Sequence, residues 1–243
     1  MPTVLLIRHG LTANTGTSLS GRTPGLHLDD RGRAQVAALA SRLAAVPLAA
    51  VVTSPLERCV ETAETIARDG VRPRVDERFI EVGYGDWTGR TLRELAKEPL
   101  WKVVQQHPSA AVFPNGEGLA ATQARAVAAV REWNDAVGAD ATYAICSHGD
   151  VIKAILADAL GLHLDQFQRI MVHPCSVSVV SYTATRPFVI RVNDVGGSVA
   201  DLLPAKKGRR HATADAVVGG GAGAETAAVP AATPSGNATT PTT

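Results

Sequence analysis

The run Thr3-Val4-Leu5-Leu6-Ile7, halted by Arg8-His9-Gly10, constrains the fold of this chain more than any other stretch. Uninterrupted Val, Leu and Ile bounded by a turn residue describe a strand buried on both faces, the kind that parallel sheets contain. Open α/β sheets gather their ligands at the C-terminal ends of such strands. A strand that stops on arginine and histidine therefore delivers a cation and an imidazole to that edge. The pattern recurs: Thr142 to Cys146 is another apolar run, and it stops at Ser147-His148-Gly149-Asp150. Of seven histidines, His9 and His148 follow buried strands and precede glycine. His27, His107, His163, His173 and His211 lack that setting and are expected to be structural or exposed, with His173, beside Pro174, near the rim of the site.

Between the two units the chain reads as alternating helices and strands. Leu11 to Gly25 is a polar, small-residue loop of the length that binding loops have. Asp29-Asp30 offers an N-cap for a helix over Arg31 to Ala45, with Val36, Leu39, Ala40 and Leu43 on one face. A strand at Ala49 to Thr53 leads into a helix reaching about Arg68, with Ser54 as its cap and Pro55 in its first turn. Arg58 falls in that turn, so two parallel strands would place it on the same sheet edge as Arg8 and His9. After a short strand at Val71 to Val75, the segment Glu77 to Gly89 is neither helical nor alternating. Its Tyr84 and Trp87 are suited to wall off one of the acids Glu77, Glu81 or Asp86 and raise its pKa.

Thr91 to Lys97 and Leu100 to Gln106 read as short helical pieces broken by Pro99 and Pro108. Glu117 to Val137 is the longest helical pattern, with Leu119, Ala124, Val127, Ala128, Val130 and Trp133 facing inward. Glu117 either approaches a site or merely begins that helix. A helix over Val151 to Leu160 follows the second histidine. Ser176 to Tyr182 and Phe188 to Val192 form a hairpin turning at Arg186-Pro187.

Composition narrows the class of protein. An apolar fraction of 45% over 243 residues supports a large core. We expect one domain over residues 1–204, then a disordered tail over 205–243, where Lys206-Lys207-Gly208-Arg209-Arg210 gives way to Ala, Gly, Thr and Pro without periodicity. A net charge of +1 argues against a nucleic-acid partner, and the basic cluster reads as solvated. Cys59, Cys146 and Cys175 have neither disulfide-framework nor zinc spacing, which fits a reducing cytoplasm. No leader or membrane span is expected, and a homo-oligomer is compatible with the sequence.

The ordered set Leu6-Ile7-Arg8-His9-Gly10 with Thr12 and Asn14, Ser54-Pro55-Leu56-Glu57-Arg58-Cys59 with Thr62-Ala63, Glu81 with Gly83, Gly85 and Trp87, and Ser147-His148-Gly149 resembles the histidine phosphatase superfamily. The branch is the one that includes cofactor-dependent phosphoglycerate mutase and fructose-2,6-bisphosphatase. The resemblance covers about residues 3 to 192. It implies a three-layer α/β/α fold with a mostly parallel central sheet. By matched position, His9 is the nucleophile that becomes phosphohistidine; Arg8, Arg58 and His148 hold the phosphate; Glu81 protonates the leaving group.

Asn14, Ser20, Gly21, Arg22 and Gly149 match or adjoin substrate-lining positions, and neither a cofactor nor a metal is implied. Leu11 stands where many relatives carry a polar residue, a difference expected to affect substrate contacts. Asp150 is the alternative proton donor, because another branch takes its acid from beside the second histidine.

The function so implied is hydrolysis of a phosphomonoester on a small phosphorylated metabolite. The alternative is a phosphoglycerate mutase, although Arg90 to Asn115 holds only Arg90, Arg93, Lys97 and Lys102 as basic residues. A non-catalytic binding protein would have no chemical need for all five of Arg8, His9, Arg58, Glu81 and His148.

Overall fold

The alternate residues of the opening strand enter two different cores, which is why its sequence carries no polar face. In the computed structural model, which describes residues 1–68 and 70–197, β1 (Thr3–Arg8) lies inside a six-stranded sheet. Val4 and Leu6 pack on one face of that sheet with Val52, Tyr143 and Ile145. Leu5 and Ile7 pack on the other with Val51, Ala144 and Cys146. Both faces are therefore apolar, as in a doubly covered parallel sheet.

The remaining strands are β2 (Ala50–Thr53), β3 (Arg74–Val75), β4 (Thr142–Ser147), β5 (Val177–Tyr182) and β6 (Pro187–Asp194), in the spatial order β3-β2-β4-β1-β5-β6. Pairs β1–β4, β2–β4 and β2–β3 are parallel, whereas β5 joins β1, and β6 joins β5, antiparallel. The helices are α1 (Asp30–Arg42), α2 (Glu57–Ile66), α3 (Leu92–Leu95), α4 (Pro99–Gln106), α5 (Leu119–Val137) and α6 (Gly149–Ala159). Helices α1 and α2 pack together over the Leu5/Ile7 face, and α5 and α6 over the Val4/Leu6 face. This is the expected three-layer α/β/α arrangement with a mostly parallel sheet.

Helix α1 begins as its sequence demands, with the Asp29 carboxylate accepting from the Gly32 N–H at 2.7 Å. The same turn anchors the loop that leaves the first histidine. The Leu11 carbonyl accepts from Asp29 N–H at 3.0 Å, and Leu11 N–H donates to Gln35 Oε1 at 3.3 Å. Leu11 is fully buried in this packing. A Cβ at Gly32 would sit 2.1 Å from the Leu11 carbonyl oxygen, so no side chain fits. Gly32→Ala should therefore lower stability by about 1–3 kcal/mol, seen as a lower urea midpoint at unchanged slope.

Several expectations shift on contact with tertiary structure. Ser54 does not cap α2, which starts at Glu57 with Leu56 at the N-cap and no side-chain cap bond. The two short helical pieces are separate as expected, with Pro99 opening α4 at its first position, where the missing N–H costs nothing. On α5 the buried stripe is Leu119, Thr122, Ala126, Val127, Ala129, Val130 and Asn134, while Ala124 and Ala128 are exposed. A helix with alanines on every side gives a weak apolar direction, and the packing of Tyr143 against Val130 and Asn134 helps settle the rotation. The hairpin turns over Thr183 to Arg186, with Pro187 already inside β6. The expected tail, residues 205–243 with its basic cluster Lys206 to Arg210 and His211, lies outside the described residues.

Candidate active site

Parallel pairing of β1 with β4 sets Arg8 opposite Ser147, so the next residue on each strand is a histidine at the same edge. His9 N–H donates to the Ser147 carbonyl at 3.1 Å, and the two imidazoles meet edge to face with centroids 5.3 Å apart. Helices α2 and α6 start at this edge, so their positive N-terminal ends lie beside the histidines. His9, His148, Arg8, Arg58 and Glu81 are all buried, and Arg58, in the first turn of α2, is only 2% exposed.

The hydrogen bonds assign the His9 tautomer. Its Nδ1 lies 2.7 Å from the Gly10 carbonyl, which only accepts, so the proton is on Nδ1. Arg58 Nε–H, which only donates, points at Nε2 from 3.3 Å, leaving that nitrogen with its lone pair toward the guanidinium. Burial first, then the charges of Arg58 and Arg8, hold the His9 imidazole well below its ordinary pKa, so it is neutral at neutral pH. His148 is depressed in the same way, by burial and then Arg58.

His148 Nδ1 accepts from Arg58 Nη2 at 3.3 Å, which places its proton on Nε2, 2.7 Å from Ser54 Oγ. The serine expected as a helix cap thus orients the second histidine. Nothing local in the sequence signals this, since the contact spans 94 positions.

Arg58 is fixed by the loop after β1, its Nη2 donating to the Gly21 carbonyl at 2.7 Å. Arg58 Nη1 is buried with no hydrogen-bond partner among the described residues, a donor turned toward no protein acceptor. Arg8 donates from Nη1 to the Val172 carbonyl at 2.7 Å, which ties the strand end to the segment before His173. His173 itself binds Asn193 through ring and backbone.

Glu81 Oε1 accepts from the Val82 N–H at 2.9 Å, and Oε2 lies 3.9 Å from His148 Nδ1. That distance would suit an ion pair, but burial of both groups favours their neutral forms. Burial, reinforced by the nearby Asp150 charge, pushes the Glu81 carboxyl up to about 7. Trp87 packs with Trp101 and Phe113 in the core, and the Tyr84 hydroxyl donates to Asp150 Oδ2 at 2.8 Å. Asp150 is also 3.5 Å from the buried Lys153 ammonium, so it is held deep in the first turn of α6 by its own partners.

The other sequence candidates divide. Gly21 joins the cluster through Arg58, and Gly149 is the buried first residue of α6. Arg22 turns toward the acid, donating from Nε to the Glu81 carbonyl at 2.7 Å and from Nη2 to Glu117 at 2.8 Å. Asn14 and Ser20 lie half-buried in the loop, where their carbonyls accept turn bonds from Thr17 and Thr23. Among the described residues no group of three His, Cys, Asp or Glu is arranged to hold a metal ion, and no helix is long and apolar enough to cross a membrane.

Two buried strand-end histidines, two buried arginines and a buried glutamate match the pattern of one protein class. The model of the histidine phosphatase superfamily, branch 1, matches residues 4–195, and the chain belongs to that family; it is a phosphatase. It is 30% identical to the glucosyl-3-phosphoglycerate phosphatase of Mycolicibacterium vanbaalenii over 68% of this chain and 76% of that one. It is 28% identical to phosphoserine phosphatase 1 of Hydrogenobacter thermophilus, over 79% and 92%. The structure of Bacillus stearothermophilus YhfR superposes with a TM-score of 0.74 at 30% identity, covering 81% of this chain and 98% of that one.

Proposed function

We propose that the protein hydrolyses phosphomonoesters of small metabolites by double displacement through a phosphohistidine on His9. The observation that carries this reading is the His9 tautomer: Nδ1–H is spent on Gly10, and an unprotonated Nε2 faces a buried guanidinium. A substrate phosphoryl group takes over the Arg58 N–H groups, including the unpartnered Nη1, and frees the Nε2 lone pair for in-line attack. Arg8, Arg58 and His148 hold the equatorial oxygens, where the charge of the transition state is spread. The N–P bond forms as the ester P–O bond breaks, and Glu81 gives its proton to the leaving alkoxide. The resulting carboxylate then takes a proton from water, which attacks the phosphohistidine, releases orthophosphate and restores both groups.

Proton donation by Glu81 predicts a leaving-group dependence. Glu81→Gln should slow esters of ordinary alcohols by about 10²- to 10⁴-fold and activated aryl phosphates far less. An equal loss on both would assign the proton to another group, Asp150 being the next to test. Because the acid must be protonated and titrates at about 7, activity on poor leaving groups should fall as pH rises through that value.

The substrates of the named relatives, a glucosylated phosphoglycerate and phosphoserine, both carry a carboxylate close to the phosphoester. Phosphorylated organic acids are therefore the class to screen first. Comparing phosphate release with isomer formation from 3-phosphoglycerate separates hydrolysis from mutase activity. The three free, buried cysteines support the cytoplasm as the working compartment.

A further inference from the structure

Glu117 lies outside the cluster of reacting groups, and no step above uses it. Yet the constraints on the Glu81 backbone converge on its carboxylate. The Glu81 side chain has few holds of its own, since Oε1 is bound by the adjoining Val82 N–H and Oε2 is 3.9 Å from His148. Its direction therefore follows the backbone of residues 81–83. The Glu81 carbonyl accepts from Arg22 Nε at 2.7 Å and from Arg125 Nη2 at 3.3 Å. Gly83 gives its N–H to Glu117 Oε2 at 3.3 Å and takes the Glu117 N–H on its carbonyl at 2.6 Å.

The two arginines come from different layers, Arg22 from the loop after β1 and Arg125 from α5. Glu117 joins them, accepting from Arg22 Nη2 at 2.8 Å and from Arg125 Nε and Nη2 at 2.8 and 3.0 Å. A Cβ at Gly116 would stand 2.2 Å from the Gly83 carbonyl oxygen, so the two backbones touch without space for slippage.

We infer that Glu117 is the positioning residue of the proton donor, clamping Arg22 and Arg125 onto the Glu81 carbonyl and thereby aiming the Glu81 carboxyl. This rests on Glu81 being the proton donor. Burial alone would raise the Glu117 carboxyl, but the hydrogen bonds and charge of Arg125 outweigh it, so Glu117 stays ionised across the working range. The groups facing Glu81 are Asp150 and Lys153 from α6, Arg58 and Cys59 from α2, Arg8 from β1, His148 after β4, Tyr84 from its own segment, and the two clamped arginines. Without the Glu117 charge, both clamped cations act on Glu81 uncompensated and favour its ionised form.

The test is steady-state hydrolysis of p-nitrophenyl phosphate and of glycerol 2-phosphate by wild type, Glu117→Gln, Glu81→Gln and the double variant. Glu117→Gln should lose about 10- to 100-fold on the glycerol ester, much less on the aryl ester, and move its alkaline limb to lower pH. On the Glu81→Gln background it should add no further loss. Equal losses on both esters, or a full independent loss in the double variant, would overturn the inference and leave Glu117 a fold-stabilising residue. If Glu81→Gln itself shows no leaving-group dependence, the acid assignment fails and this inference fails with it. Should Glu117→Gln not fold, Arg22→Gln, at a partly exposed position, must show the same leaving-group bias with a smaller loss; equal losses on the two esters would again overturn it.

Discussion

His9→Ala should release phosphate slower than wild type by on the order of 10⁴-fold or more, the scale seen when a covalent nucleophile is removed. No neighbour is placed to substitute. His148 has Nε2 on Ser54 and Nδ1 facing Arg58, so its lone pair is already directed at a guanidinium that must hold phosphate. The backbone N–H bond from residue 9 to Ser147 survives the substitution, and the sheet register does not depend on the imidazole. Loss of activity with retained cooperative melting is therefore the expected pair of observations. Quenching a labelled turnover in alkaline denaturant would trap no phosphoprotein in the variant, whereas wild type should yield one that is stable to alkali and lost on later treatment with acid. A variant retaining a tenth of wild-type turnover would show that the phosphoryl group has another acceptor.

Arg58→Ala should cost about 10³-fold in kcat/KM, since it removes the buried donors proposed to hold the phosphoryl oxygens. Arg58→Lys should recover little of it. The guanidinium spans His9 Nε2, the Gly21 carbonyl and His148 Nδ1 at once, and an ammonium cannot reproduce that fork. A second consequence distinguishes Arg58 from a passive phosphate clamp. Its charge is one cause of the depressed His9 pKa, after burial. Without it the imidazole protonates more readily, so the acidic limb of kcat/KM should move to higher pH. An unmoved acidic limb in Arg58→Ala would mean that burial and Arg8 suffice to keep His9 neutral.

The strands and their polar endings were legible because β1 and β4 are buried on both faces, which leaves continuous apolar runs that any polar ending interrupts. The Asp29 cap was legible for a local reason, its bond reaching only to Gly32. What could not be read locally was the use of a side chain by a distant element. Ser54 has the signature of a helix cap, and only the approach of β4 turns its hydroxyl to His148. Tyr84 is legible as part of the apolar setting of Glu81, but the bond from its hydroxyl to Asp150, whose charge acts on Glu81, spans 66 positions and has no local signal. Glu117 stood in a turn with two equally good readings until Arg22 and Arg125 closed on it. On α5, alanine's small apolar surface gave too little direction to choose the inner face, and Ala124 and Ala128 ended in solvent.

The position of β1 has a consequence for biosynthesis. Strand β1 leaves the ribosome before both of its partners, β4 on one side and β5 on the other, which it meets by joining Thr3 to Thr142 and to Ser181. Its apolar residues must therefore wait, unpaired, for most of the domain to be made, a costly arrangement for loop closure and one that exposes a sticky segment to chaperones. His9, the proposed phosphate acceptor, has no partner until that wait ends. Catalytic competence should thus emerge at the end of folding, and recovery of phosphatase activity after dilution from denaturant should track closure of the central sheet and not the earlier gain of helix.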